Sequence, residues 1–137
     1  MTDQPAIEFF FDVASPYSYL AATQIDDLEQ ETGLPVRWRP FLLGGVFKET
    51  GNQAPARIRE KAAYMLQDLN RWADRYDEPF EMPANFPINS LTAQRALVAA
   101  GQVDFGGGDV PTFAMELFRD YWVDGTDVSE PPAIAEA

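Results

Sequence analysis

The chain has 137 residues, 46% of them hydrophobic and 13% aromatic, and a formal charge of -12. That is enough apolar material for one domain with its own core, and a charge unsuited to nucleic acid or an anionic membrane surface. With no Cys and no His, disulfides, a zinc site of the usual ligands and His-based catalysis are excluded.

No apolar run approaches the roughly 18 residues of a membrane span. No signal-peptide pattern opens the chain, so a cytoplasmic location is the default expectation. Residues 1–5 form a polar start. Ala6 to Val13 reads as a strand: Ile7, Phe9, Phe11 and Val13 alternate with Glu8, Phe10 and Asp12. Phe10 makes the second face apolar too, so the strand is expected to be covered on both sides. Ala14 breaks the run, and Ser15-Pro16 is a helix-start signal. A helix is expected from Tyr17 to about Thr32, with Leu20, Ala21, Ile25 and Leu28 as its apolar face and Gly33 as its stop. Pro35 to Arg39 reads as a second strand, with Val36 and Trp38 inward and Arg37 and Arg39 outward. Strand, helix, strand in so short a span predicts a right-handed βαβ unit with parallel strands.

Pro40 ends that strand, and Gly44-Gly45 after Phe41-Leu42-Leu43 lets the backbone turn. Gly51-Asn52 and Pro55 mark a loop, followed by a long helix from about Ala56 to Tyr76. Ile58, Ala62, Met65, Leu69, Trp72 and Tyr76 form its apolar stripe. Lys61, Tyr64, Asp68, Arg71 and Arg75 form a polar stripe beside it. That stripe reads either as intrahelical ion pairs such as Asp68 with Arg71, or as the wall of a polar pocket facing Ser15. Glu78 to Asn89 is a loop with prolines at 79, 83 and 87, and Ser90 caps a helix that stops at Gly101. Gln102 to Asp109, with Gly106-Gly-Gly108, lacks the spacing of a phosphate loop and follows no strand, so it reads as a linker. Pro111 to about Asp124 is a helix with Phe113, Ala114, Leu117, Phe118 and Tyr121 inward, ended by Gly125. Pro111 is explained more simply by a helix start than by a cis bond. Ser129-Glu-Pro-Pro opens a last helix, with Ala133 to Ala137 as its first turn.

Ser15 and Ser18 stand at the spacing of a Cys-x-x-Cys pair, with Pro16 and Tyr17 between them. A thioredoxin-like fold holds its reactive thiol at such a strand-to-helix junction, where helix amides favour a thiolate. A chain without cysteine does no disulfide chemistry of its own. It is left with an ordinary Ser-Pro cap, or with an anion-favouring site that receives its thiolate on a ligand.

The stretch Phe11-Asp-Val-Ala-Ser-Pro-Tyr-Ser-Tyr-Leu20 resembles the start of the 2-hydroxychromene-2-carboxylate isomerases and the related kappa-class glutathione transferases, in the DsbA-like branch of the thioredoxin superfamily. The likeness continues through Arg39-Pro-Phe-Leu-Leu-Gly-Gly-Val-Phe-Lys48, Thr50-Gly-Asn52, the set Lys61, Tyr64, Asp68, Arg71 and Trp72, Pro83-Ala-Asn-Phe-Pro87, Arg95 and Phe118-Arg-Asp-Tyr-Trp122. The resemblance implies an α/β, thioredoxin-like (DsbA-like) βαβ unit over 1–45, an inserted helical domain over 46–128, and the start of a connecting helix over 129–137. The resemblance further implies a following β-β-α part, which is expected to be missing here. A two-stranded sheet has an open edge, which favours a homodimer.

The resemblance also implies glutathione as cofactor and a small aromatic carboxylate as substrate. In such a reaction Ser15 donates to the glutathione sulfur, the thiolate adds to the conjugated carbon of a 2-hydroxychromene-2-carboxylate, rotation follows, and sulfur is expelled. Carried over position by position, Ser15 is catalytic, and Ser15, Pro16, Tyr17, Asn52, Lys61 and Asp68 bind glutathione. Lys48, Asn52 and Phe86 bind substrate, Phe86 standing where a relative carries Tyr. Tyr17 and Trp72 are candidates to wall the aromatic ring, with core packing the expected duty of Trp72. No metal is implied. The alternatives are a kappa-like glutathione transferase and a non-catalytic thioredoxin-like module.

Overall fold

The computed structural model describes residues 5–102 and 107–137. The elements run β1 (Ile7–Phe11), α1 (Pro16–Ala22), α2 (Ile25–Thr32), β2 (Val36–Pro40), α3 (Leu43–Thr50), a 3-10 turn (Pro55–Arg57), α4 (Arg59–Tyr76), α5 (Leu91–Ala100), α6 (Val110–Trp122) and α7 (Pro131–Glu136). β1 and β2 pair in parallel, from Ile7 opposite Val36 to Phe11 opposite Pro40. The expected βαβ start is therefore present. Residues 1–4 of the polar start, and Gly106 of the glycine run, lie outside the described residues.

Over residues 6–45 three expectations are corrected. The single helix over residues 17–32 is two, divided at Thr23-Gln24. The Thr23 hydroxyl donates to the Leu20 carbonyl at 2.6 Å and takes it from the ladder; Ala22 is buried and Ala21 is exposed. The turn expected at Gly44-Gly45 is the first turn of α3, whose Leu43 N–H donates to the Asp12 carboxylate at 2.9 Å. That carboxylate, 31 residues back, serves an orphan donor that no local residue caps. Third, Phe10 is not covered: it is 57% exposed and meets Phe41 edge-on. The core lies on the other face, where Phe9 and Phe11 pack on Trp38 and Phe11 on Phe118.

One buried cluster joins β1, α1, α4, α5, α6 and α7, with Phe11, Tyr19, Leu69, Leu97, Leu117, Phe118, Tyr121 and Trp122 fully enclosed. α4 opens three residues later than expected, after the 3-10 turn, and buries Met65, Leu69 and Ala73. Trp72 is not a core residue. It is 40% exposed, its ring packed on Tyr76 with the Arg75 guanidinium over it. At the start of α5, Asn89 rather than Ser90 accepts the first free N–H, from Leu91. α6 is capped by Asp109, which accepts from Thr112, with Pro111 in its first turn. α7 begins at Pro131, two residues after the expected Ser129.

Candidate active site

The site begins where β1 meets α1. Ser15 has extended backbone (φ -98°, ψ 119°), and its Oγ accepts the Ser18 N–H at 3.2 Å. Its own carbonyl takes the Tyr19 N–H. Pro16 has no N–H, so Tyr17 carries the one first-turn amide without a partner among the described residues. Two donors thus converge on the helix tip, the Ser15 O–H and the Tyr17 N–H. Ser18, the second serine of the pair, turns its hydroxyl to the Asp12 N–H at 3.4 Å and stands outside the cleft.

Side chains from distant elements hold this junction. Asp12 is 2% exposed; its Oδ1 accepts the Ala14 N–H and its Oδ2 the Leu43 N–H, both at 2.9 Å. Gln94 on α5 is 4% exposed; its Oε1 accepts the Val13 N–H at 3.1 Å. Its Nε2 donates to the carbonyls of Phe11 at 3.0 Å and Phe41 at 2.8 Å. The Trp122 indole N–H donates to the Val13 carbonyl at 2.8 Å. Sequence reasoning missed all three as site residues. For Asp12 a signal existed, since Asp followed two residues on by a free N–H is an Asx-turn pattern. Gln94 and Trp122 offered none, their partners lying 53 to 109 residues away.

A cleft of about 690 Å³ opens over Ser15, Pro16 and Tyr17, within the range of about 300–1,000 Å³ for small-ligand sites. Leu43, Phe47, Phe86 and Ile88 supply apolar wall, and Lys48, Asn52, Gln53 and Arg57 supply donors. Phe86 also packs on Trp122, and the Phe86–Pro87 bond is cis. The structure therefore brings together Ser15, Pro16, Tyr17, Lys48, Asn52 and Phe86. Lys61 lines an adjoining depression of about 410 Å³ with Glu60 and Tyr64, and Tyr17, Pro55 and Met65 border both spaces. Asp68 touches neither. Its Oδ2 accepts the Tyr17 O–H at 2.7 Å, and no Asp68–Arg71 ion pair forms among the described residues. Burial first, then this hydrogen bond and the charge of Asp68, hold the Tyr17 phenol well above its ordinary pKa. Tyr17 therefore stays a neutral donor.

A parallel βαβ start with a capping hydroxyl at the tip of its first helix is the arrangement of a thioredoxin-like protein. The chain belongs to the DSBA-like thioredoxin domain family, which matches residues 6–137. It is 32% identical over 123 residues to a 2-hydroxychromene-2-carboxylate isomerase of Sphingobium xenophagum, covering 88% of this chain and 60% of that protein. It is 44% identical over 87 residues to glutathione S-transferase kappa 1 of Caenorhabditis elegans, covering 63% of this chain and 38% of that protein. A solved 2-hydroxychromene-2-carboxylate isomerase superposes with a TM-score of 0.79 at 27% identity, over 96% of this chain and 64% of its own. The chain thus spans less than two thirds of the length of each of these relatives. No helix among the described residues is long and apolar enough to cross a membrane.

Proposed function

We propose that the chain acts as a glutathione-dependent cis–trans isomerase of aromatic enone acids, interconverting 2-hydroxychromene-2-carboxylate and trans-o-hydroxybenzylidenepyruvate or a similar pair. The observation that carries this reading is the Ser15 hydroxyl at the cleft, in a chain with no thiol of its own. Its oxygen is engaged by Ser18 N–H, which leaves its proton to donate outward.

The residues present fit glutathione. The Ser15 O–H and Tyr17 N–H suit a sulfur anion, and the cleft and the depression beyond Tyr17 together offer Lys48, Arg57 and Lys61 to carboxylates. When bound, glutathione supplies a nucleophilic sulfur that adds reversibly to a conjugated carbon. Ser15 holds that sulfur as its anion through a charge-assisted hydrogen bond. Lys48 and Asn52 hold the substrate carboxylate, and Phe86, without a hydroxyl, walls the ring. Lys61 takes a glutathione carboxylate, and Asp68 acts through Tyr17, whose ring it fixes between the two spaces. A second reading, kappa-like transfer of glutathione to an electrophile, is favoured by the 44% identity to the worm transferase; it uses the same residues.

Calorimetric titration with millimolar glutathione, then turnover of an enone acid against a chlorinated aromatic, tests this. We expect binding and preference for the enone acid. Ser15→Ala should lower turnover at least about tenfold, since a hydrogen bond to a charged group contributes about 1.5–3 kcal/mol. No binding heat in the wild type leaves the non-catalytic module, and full turnover in Ser15→Ala removes Ser15 from the chemistry.

A further inference from the structure

We propose that Asp12 and Gln94 are positioning residues that set the span between the Ser15 end and the Lys48 end of the cleft; this rests on the functional reading above. The β1–β2 ladder closes at Phe11 opposite Pro40, with a last bond from Phe41 N–H to the Phe11 carbonyl. Beyond it the two chain segments diverge, one to Ser15 and the other to α3, which carries Lys48. No residue of α3 is fully buried, and none belongs to the core cluster or packs against it.

Two buried side chains tie the segments together past that point. Asp12 reaches the Ala14 N–H, one residue before Ser15, and the Leu43 N–H that opens α3. Gln94 takes the Val13 N–H on the Ser15 side and donates to the Phe41 carbonyl on the α3 side. Each side chain therefore holds both segments at once, and Gln94 adds α5 as a third fixed point. The distance from sulfur to substrate carboxylate follows from this double brace, and so does the length of enone acid that the cleft accepts.

The absence of cysteine makes engineered labels unique. Spin labels at Ala21→Cys on α1 and Glu49→Cys on α3, both exposed, report the span by double electron–electron resonance in ligand-free protein. We expect one narrow distance distribution in the otherwise unaltered chain, and a broadened or shifted one in Gln94→Met and in Asp12→Asn. Gln94→Glu keeps the acceptor for Val13 N–H and can donate to at most one of the two carbonyls; it serves the same measurement where Gln94→Met fails to fold. In the unlabelled variants kcat should fall roughly tenfold to a hundredfold, and more than KM changes. Distances unchanged in the folded variants would overturn the brace, even with a lowered melting temperature, because a merely stabilising role lowers melting without moving α3. The distances need no glutathione, so they decide the brace even if glutathione binding, and with it the functional reading, fails.

Discussion

Tyr19 exposes no surface, and its O–H donates to the Pro79 carbonyl at 2.5 Å. Burial first, then the nearby Glu78 charge, pushes its pKa up to about 12, with Arg119 opposing. The folded state thus holds this proton more tightly than the unfolded chain, whose tyrosine titrates near 10. The resulting stabilisation is complete below pH 10 and is lost as pH rises towards 12; it is on the order of 2–3 kcal/mol. Urea unfolding between pH 10 and 12 should show a falling midpoint in the wild type and a shallower fall in Tyr19→Phe. Equal slopes would mean that Tyr19 ionises no later when folded. Legibility at this scale depended on how far apart the partners lie. Ser15 could be read as a cap because Ser18 is three residues on. Tyr19, Gln94 and Trp122 find their partners 53 to 109 residues away, and no window of sequence contains such a pair.

The same rule separates the elements that periodicity reveals from those it does not. β1 and β2 alternate, and α4, α5 and α6 carry stripes and stops within their own sequence, so their existence was legible. α3 was not, because its Gly44-Gly45 opening argues for a turn and the carboxylate that serves its first N–H belongs to Asp12. Trp72 fell on an apolar stripe yet remains exposed, because the buried line of α4 runs Met65, Leu69, Ala73 and passes beside it. α3 can be tested as an element through Gly44. A Cβ built there meets no atom within 4 Å, and its φ is not positive. In a helix, Gly44→Ala should then stabilise by about 0.4–1 kcal/mol, mainly by restricting the unfolded chain. A left-handed turn at Gly44 would make the same change destabilising, so the sign of the shift in the denaturation midpoint distinguishes the two.

Charge acts on the molecule as a whole. Against a formal charge of -12, the described residues form one ion pair, Arg39 with Glu8 at 3.1 Å, both about half exposed. Such a pair contributes little, so the negative surface is left to repel itself. Within that field the cleft gathers Lys48 and Arg57, neither of them paired among the described residues. Salt should therefore act on the two in opposite directions. Raising NaCl from about 0.01 to about 1 M shortens the Debye length from about 30 to about 3 Å. Screening of the like charges should raise the melting temperature, and screening of Lys48 and Arg57 should raise KM for a carboxylate substrate. Lys48→Gln would remove part of the second effect and leave the first, because one cation among so many acids scarcely changes the net repulsion. A melting temperature that falls or stays level with salt would show that self-repulsion does not limit this fold. A KM that ignores salt would take the carboxylate away from the two cations.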